Sequence, residues 1–167
     1  MKLRSFCSIL LLCLLVFSSR TPSIAFQQSQ DVLTEDKIVA MLNSVDTAAR
    51  KGNLAGLVSP LARDIKMKMT VTMPKNAQEQ TIMLTKEQYT LLTRRALRRR
   101  RAYQLQRKNT QVKIYGDNKT AMVTSDLYET LTIPEGTLRT VSTEVSIVSL
   151  RDGRVVVNSV ESKVRFY

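Results

Sequence analysis

Six arginines fall within eight consecutive positions, Arg94-Arg95-Ala96-Leu97-Arg98-Arg99-Arg100-Arg101. Permanent positive charge at this density attracts anions, whether a small carboxylate, an acidic partner or a charged surface. Groups able to transform a ligand are scarcer. The chain has no histidine, so Ser-His and Cys-His nucleophilic schemes are excluded. No His/Cys/Asp cluster has metal-ligand spacing and no glycine-rich phosphate loop is present, so neither metal nor cofactor is expected. Carboxylate chemistry remains open. Asp126, Glu129, Glu144 and Glu161 lie in strand-like segments with Tyr128 among them, and a carboxylate base beside a tyrosine hydroxyl can abstract a proton next to a carbonyl. The two facing carboxylates of a glycosidase are not visible as a pair.

The N-terminus places these residues in a setting. Lys2 and Arg4 precede an apolar stretch from Phe6 to Phe17, and Ser23-Ile24-Ala25 supplies small residues where a signal peptidase cuts. This is the layout of a secretory signal peptide over residues 1–25, with the cut after Ala25. The apolar stretch is shorter than the ~20 residues of a membrane-spanning helix, and a retained signal anchor is the alternative. Both cysteines, Cys7 and Cys13, lie in it, so the exported chain has no thiol, disulfide or thiolate metal site. Removing Lys2, Arg4 and Arg20 leaves 23 basic against 14 acidic residues. For an exported protein this charge suits an anionic surface or a protein partner better than nucleic acid.

Residues 26–33 read as a polar linker. Thr34 is an N-cap with Glu35 and Asp36 in the first turn. Ile38, Met41, Leu42, Val45, Ala48 and Ala49 recur at helical spacing up to Gly52, a C′ glycine. Asn53 caps a shorter helix carrying Leu54, Leu57, Val58 and Leu61, with Pro60 kinking or ending it. Ile65, Met67, Met69, Val71 and Met73 then alternate with polar residues, Pro74-Lys75-Asn76 breaks the strand, and Thr81–Leu84 is its hairpin return. Thr85 caps a helix read through the arginines to Tyr103. Four strands follow, separated by Gly116-Asp117-Asn118, Pro134-Glu135-Gly136 and Arg151-Asp152-Gly153.

At ~100° per residue, Tyr89, Leu92, Ala96 and Tyr103 form the buried stripe of the third helix. Arg94, Arg95, Arg98, Arg99 and Arg101 form the opposite face. That face is either a solvated one or a footprint for an anionic surface or partner. Nucleic acid is disfavoured, because no stacking aromatic interleaves with the arginines. Arg100 falls on the inward side: either the helix has ended by then, or its guanidinium is aimed towards the pocket and needs a partner there. With Tyr89, Asn158 and Ser162 it is the candidate pocket group for an apolar or carboxylate-bearing ligand. Strand alternation turns Asp126 outward and brings Glu129 to the pocket rim. With Val141, Val145 and Ile147 inward, Glu144 would lie outside.

The order helix, short helix, hairpin, helix, four-strand meander resembles the nuclear transport factor 2-like superfamily, which includes SnoaL-like cyclases, ketosteroid isomerase and scytalone dehydratase. Three segments carry the likeness. Ala49-Arg50-Lys51-Gly52-Asn53-Leu54 resembles the junction of its first two helices, and Gly116-Asp117-Asn118-Lys119-Thr120-Ala121 its turn into the middle strand. Arg151-Asp152-Gly153-Arg154-Val155-Val156 resembles its last hairpin, with arginine where the family usually has tryptophan. The resemblance spans residues 34–167. It implies an α+β domain in which three helices from the N-terminal half pack in the concave face of a strongly curved antiparallel sheet, a conical barrel enclosing a pocket, and a homodimer through the outer sheet face. A cystatin-like α+β sheet is the structural alternative. Where relatives present histidines on the last strand this chain has Asn158, Val160 and Ser162, so the histidine-dependent dehydratase chemistry is not expected. The favoured function is an exported, non-catalytic binding module with a mostly apolar pocket. The alternative is a small lyase or isomerase using Glu129 or Asp126 as base. A pocket carboxylate facing a tyrosine hydroxyl is the observation that would favour the enzyme.

Overall fold

The computed structural model describes residues 32–73 and 77–167. The expected signal peptide, most of the linker and the Pro74-Lys75-Asn76 break lie outside the described residues.

Helix α1 (Glu35–Lys51) starts at Thr34, whose hydroxyl accepts from the Lys37 amide at 3.3 Å, and ends at Gly52 with φ +71°. Both caps are the ones the sequence predicts. The linker assignment needs one correction: Leu33 is buried, and its amide donates to the Asn118 carbonyl at 2.8 Å. Leu33 directly precedes the N-cap and Ile38 is the fourth helical residue, the spacing of a hydrophobic staple. Both are buried in the same cluster.

Asn53 caps α2 (Leu54–Val58) by accepting from the Gly56 amide at 3.1 Å. Leu61 is not in this helix, as its spacing suggested, but opens strand β1 (Leu61–Thr72). Pro60 lacks the amide that a further helical turn would use, and its carbonyl instead accepts from Val157 at 2.8 Å. Strand β2 (Glu79–Leu84) pairs back on β1, and a reciprocal capping box between Thr85 and Gln88 starts α3 (Lys86–Arg99).

Helix α3 ends earlier than its periodicity suggests. Arg100 is already extended (φ −68°, ψ 126°), and the Arg101 amide joins the sheet through the Thr132 carbonyl at 2.8 Å. Tyr103 therefore belongs to β3 (Ala102–Ile114). Strands β4 (Thr120–Ile133), β5 (Gly136–Arg151) and β6 (Arg154–Phe166) complete the meander. The curved sheet runs β2-β1-β6-β5-β4-β3, antiparallel except for the parallel pair β1–β6.

Two details of strand parity position the interior. On β3, Asn109 has φ +52° and the register with β4 shifts between Lys108 and Gln111. This bulge lets Tyr103, Leu105 and Arg107 share the inner face with Val112 and Ile114. On β5 the expected facing is reversed. Ser142, Ser146, Val148 and Leu150 are buried, so Glu144 points inward, while Val141, Val145 and Ile147 lie half-buried on the convex face. Apolar alternation misleads there because the polar residues of β5 belong to the interior.

Candidate functional site

Two adjoining cavities lie between the helices and the concave face. The first, about 150 Å³, has walls from α1, β1, β5 and β6, and its charged lining residues are Lys68, Arg107 and Glu144. The second, about 230 Å³, lies against the inner side of α3 and is lined by Thr93, Ala96, Leu97, Arg100, Tyr103 and Glu129 among others. Tyr89 and Leu57 contribute to both.

Arg107 organises the first cavity. Its Nε and Nη2 donate to both Asp46 oxygens at 2.9–3.3 Å, with side-chain exposures of 10% for Arg107 and 7% for Asp46. Asp46 belongs to the buried face of α1 with Ile38, Leu42 and Ala49. A carboxylate in an apolar stripe is tolerable when a fork-shaped guanidinium takes both its oxygens. On its other side, Arg107 Nη1 lies 3.7 Å from Glu144 Oε1, beyond hydrogen-bond range, and this buried nitrogen has no hydrogen-bond partner among the described residues. Glu144 also accepts from the Ser146 hydroxyl at 3.2 Å. Burial by itself would lower the Arg107 pKa; Asp46 and Glu144 outweigh it and hold the group above its ordinary value.

The second cavity carries a different pair, in which the Tyr103 hydroxyl donates to Glu129 Oε1. Burial, reinforced by the Glu129 charge, pushes the Tyr103 phenol up. Burial also raises Tyr89, with Glu144 and Glu129 acting in the same direction against its hydrogen bond to Thr93. Both phenols stay protonated at neutral pH and present O–H groups to the interior.

The residues proposed from sequence are distributed unevenly. Tyr89 and Ser162 line the first cavity. Glu129, expected at the pocket rim, lines the second cavity, and Asp126 is outside, its two oxygens taken by Asn109 at 2.8 Å and Thr143 at 2.9 Å. These donors hold the Asp126 carboxyl below its ordinary range. Asn158 is not a pocket residue. It falls at the β5–β6 register shift, donates to the Ser149 hydroxyl at 2.9 Å and accepts from Arg151 at 2.6 Å.

Arg100 borders the second cavity but does not hold a carboxylate. Its Nη1 donates to the Ala49 carbonyl at 2.7 Å and its Nη2 to the Arg50 carbonyl at 3.3 Å, while the guanidinium carbon lies 5.6 Å from the Tyr103 ring centre. It thus caps the negative C-terminal end of α1. On α3, Leu92 and Ala96 are exposed rather than part of a buried stripe; Tyr89, Thr93 and Leu97 are half-buried and, with Ala96, border the second cavity. Arg99 pairs with Glu135, and Arg94, Arg95, Arg98 and Arg101 make no ion pair among the described residues.

Sequence reasoning missed Asp46, Arg107 and the inward Glu144. The signal for the first two was present: Asp46 sits four residues after Leu42, and Arg107 alternates with Tyr103 and Leu105.

An α+β domain with helices in a curved sheet and a polar-tipped cavity defines the class. No protein-family model and no curated protein sequence matches the chain. Solved structures do match. A conserved protein from Planctomyces limnophilus superposes with TM-score 0.67 at 15% identity, covering 80% of this chain and 97% of that one. A nuclear transport factor 2-like protein from Cytophaga hutchinsonii gives 0.59 at 16% identity over 79% and 97%. A putative scytalone dehydratase from Novosphingobium aromaticivorans gives 0.63 at 12% identity over 79% and 83%. The chain has the nuclear transport factor 2-like fold.

Proposed function

We propose that this is an exported binding domain that takes a small, mostly apolar molecule carrying one neutral hydrogen-bond acceptor, such as a ketone or aldehyde. The observation that carries the reading is Nη1 of Arg107 at the wall of the first cavity, which makes no hydrogen bond among the described residues and has only the Glu144 carboxylate, 3.7 Å away, beside it. A buried N–H without a hydrogen bond costs free energy that a well-placed acceptor would recover. The charges select the acceptor. Asp46 and Glu144 already flank Arg107, so a ligand carboxylate would add a third negative charge beside one guanidinium, whereas a carbonyl oxygen would not. A volume of about 150 Å³ suits one six-membered ring, since an apolar cavity of ~150 Å³ accepts benzene. The signal-peptide layout of residues 1–25 supports export.

Thermal-shift and native mass-spectrometric measurements with cyclohexanone, benzoate and cyclohexane test this reading. Stabilisation by cyclohexanone exceeding that by benzoate or cyclohexane is expected. Glu144→Gln should then admit benzoate. Equal responses to the three compounds would overturn the assignment to Arg107.

A second reading has its own observation, the Tyr103 hydroxyl facing Glu129 in the second cavity. A carboxylate beside protonated phenols is the equipment for abstracting a proton next to a carbonyl. In this structure, however, the phenol donates to the would-be base itself. Deuterium exchange at the α-carbon of cyclohexanone, followed by NMR, separates the readings. Exchange abolished by Glu129→Gln would establish the enzyme; exchange no faster than in buffer leaves the binding domain.

A further inference from the structure

The exposed side of α3 has a composition that its packing in the domain does not explain. None of its fourteen residues is buried. Its contribution to the interior is the half-buried row Tyr89, Thr93 and Leu97 along the second cavity. At ~100° per residue, Leu91 falls on the opposite side, directly beneath Arg94, Arg95 and Arg98 one and two turns further on. Leu91 is 46% exposed, as is its neighbour Leu92. The three arginines are exposed and unpaired among the described residues.

We propose that α3 docks the protein on an anionic lipid surface, with Arg94, Arg95 and Arg98 on lipid phosphates and Leu91 inserted between the headgroups. The charge makes the partner anionic, and the leucine makes it a bilayer. Leu91 and Leu92 put exposed apolar side chains at the N-terminal edge of the arginine face, beyond Glu87 on the same side, and an interfacial helix uses such side chains to enter the headgroup layer. Long arginine side chains extend outward from such a helix and keep their charge at phosphate level. Single-stranded nucleic acid would require stacking aromatics, and the two tyrosines of the region, Tyr89 and Tyr103, line the cavity on the other side. The row facing the cavity differs from the row facing outward, so docking does not compete with folding.

Co-sedimentation of the full chain with vesicles tests the proposal, comparing pure phosphatidylcholine with mixtures containing phosphatidylglycerol. The ratio of the two affinities isolates the charge-dependent part, whatever the apolar N-terminal stretch contributes to both. Since each basic residue near an anionic surface is worth about fivefold in affinity, the triple variant Arg94→Gln/Arg95→Gln/Arg98→Gln should lower that ratio by about 100-fold. A charge-matched control, Lys113→Gln/Lys119→Gln/Arg154→Gln, should lower it by less than about fivefold. Leu91→Ser should weaken binding to anionic vesicles by about tenfold and leave binding to soluble polyphosphate unchanged. Equal losses in the two triple variants would reduce the effect to net charge and overturn the proposal. A Leu91→Ser variant that binds vesicles like wild type would overturn it as well, pointing to a soluble acidic partner. Unchanged thermal melting of all variants confirms that folding is not what is being read. Neither outcome bears on the cavity, where the ketone response is measured separately.

Discussion

Arg100 and Arg107 are seven positions apart, and the two ends of that interval obey different physics. Arg100 belongs to a run of arginines whose other members stand in water, and its guanidinium is spent on two backbone carbonyls at the end of α1. Arg107 stands alone in an alternating strand, buried between two carboxylates at a cavity wall. Clustered charge repels itself and is kept at the surface. A single charge among apolar neighbours can be buried when its counterions are built into the core around it. Density of charge is thus a poor guide to the interior of this protein, and isolation a better one.

Breaking the buried pair should have the largest effect. Arg107→Met leaves Asp46 and Glu144 without a cation and is expected to cost about 3–5 kcal/mol in urea unfolding. Adding Asp46→Leu should restore much of that loss, because one uncompensated buried charge disappears. A double variant no more stable than Arg107→Met would show that the pair does not organise the core. Arg100→Met removes hydrogen bonds to a helix end and should cost about 1–2 kcal/mol by the same measurement. It should leave the cyclohexanone response intact, whereas loss of that response would move the binding handle from Arg107 to Arg100.

Gly52 sharpens the Arg100 half of the comparison. Its φ of +71° suits glycine, and a Cβ there would sit 2.6 Å from Arg100 Nη2. Gly52→Ala should therefore cost about 1–2 kcal/mol, combining the left-handed backbone with displacement of the guanidinium. Because the two changes remove one cap, Gly52→Ala and Arg100→Met together should cost less than the sum of the separate losses. Additive losses in urea titrations would mean that Arg100 does not act through the end of α1.

Much of the fold was legible because local physics agreed with it: Thr34, Asn53 and Thr85 all cap helices, Gly52 ends one, and the inward rows of β1 and β4 follow their apolar alternation. The element order read from these signals carried the likeness to nuclear transport factor 2-like proteins, and the likeness implied the curved sheet around the helices. The site was less legible, for one reason repeated three times. Asp46, Arg107 and Glu144 are polar residues in positions that face inward, and a reading that assigns polar side chains to water passes over them. The error on β5 has the same source, since Ser142, Glu144 and Ser146 belong to its inner row while Val141, Val145 and Ile147 face out. Local spacing places Asp46 and Arg107 on inward rows, but what lets them be buried is a set of partners distant in sequence, here on α1, β3 and β5, whose pairing no local pattern reports.

Carboxylates repeat the contrast on a smaller scale. Asp46 is held inside by a guanidinium, whereas Asp117 is held at the surface by backbone and hydroxyl groups. Asp117 Oδ1 accepts from the Lys119 and Thr120 amides, both at 2.9 Å, and Oδ2 from the Thr120 hydroxyl at 2.7 Å. These bonds hold its pKa below the ordinary value of 3.8. A carboxyl depressed in the folded state stabilises above its unfolded pKa and loses that contribution as pH falls through the folded one. Asp117→Asn should accordingly melt at a lower temperature than wild type at neutral pH. The gap should begin to shrink below about pH 4 and close once the folded carboxyl is protonated. A gap that stays constant down to strongly acidic pH would mean that the turn depends on the shape of Asp117 and not on its charge. In that case the charged anchor of this fold would be confined to its interior.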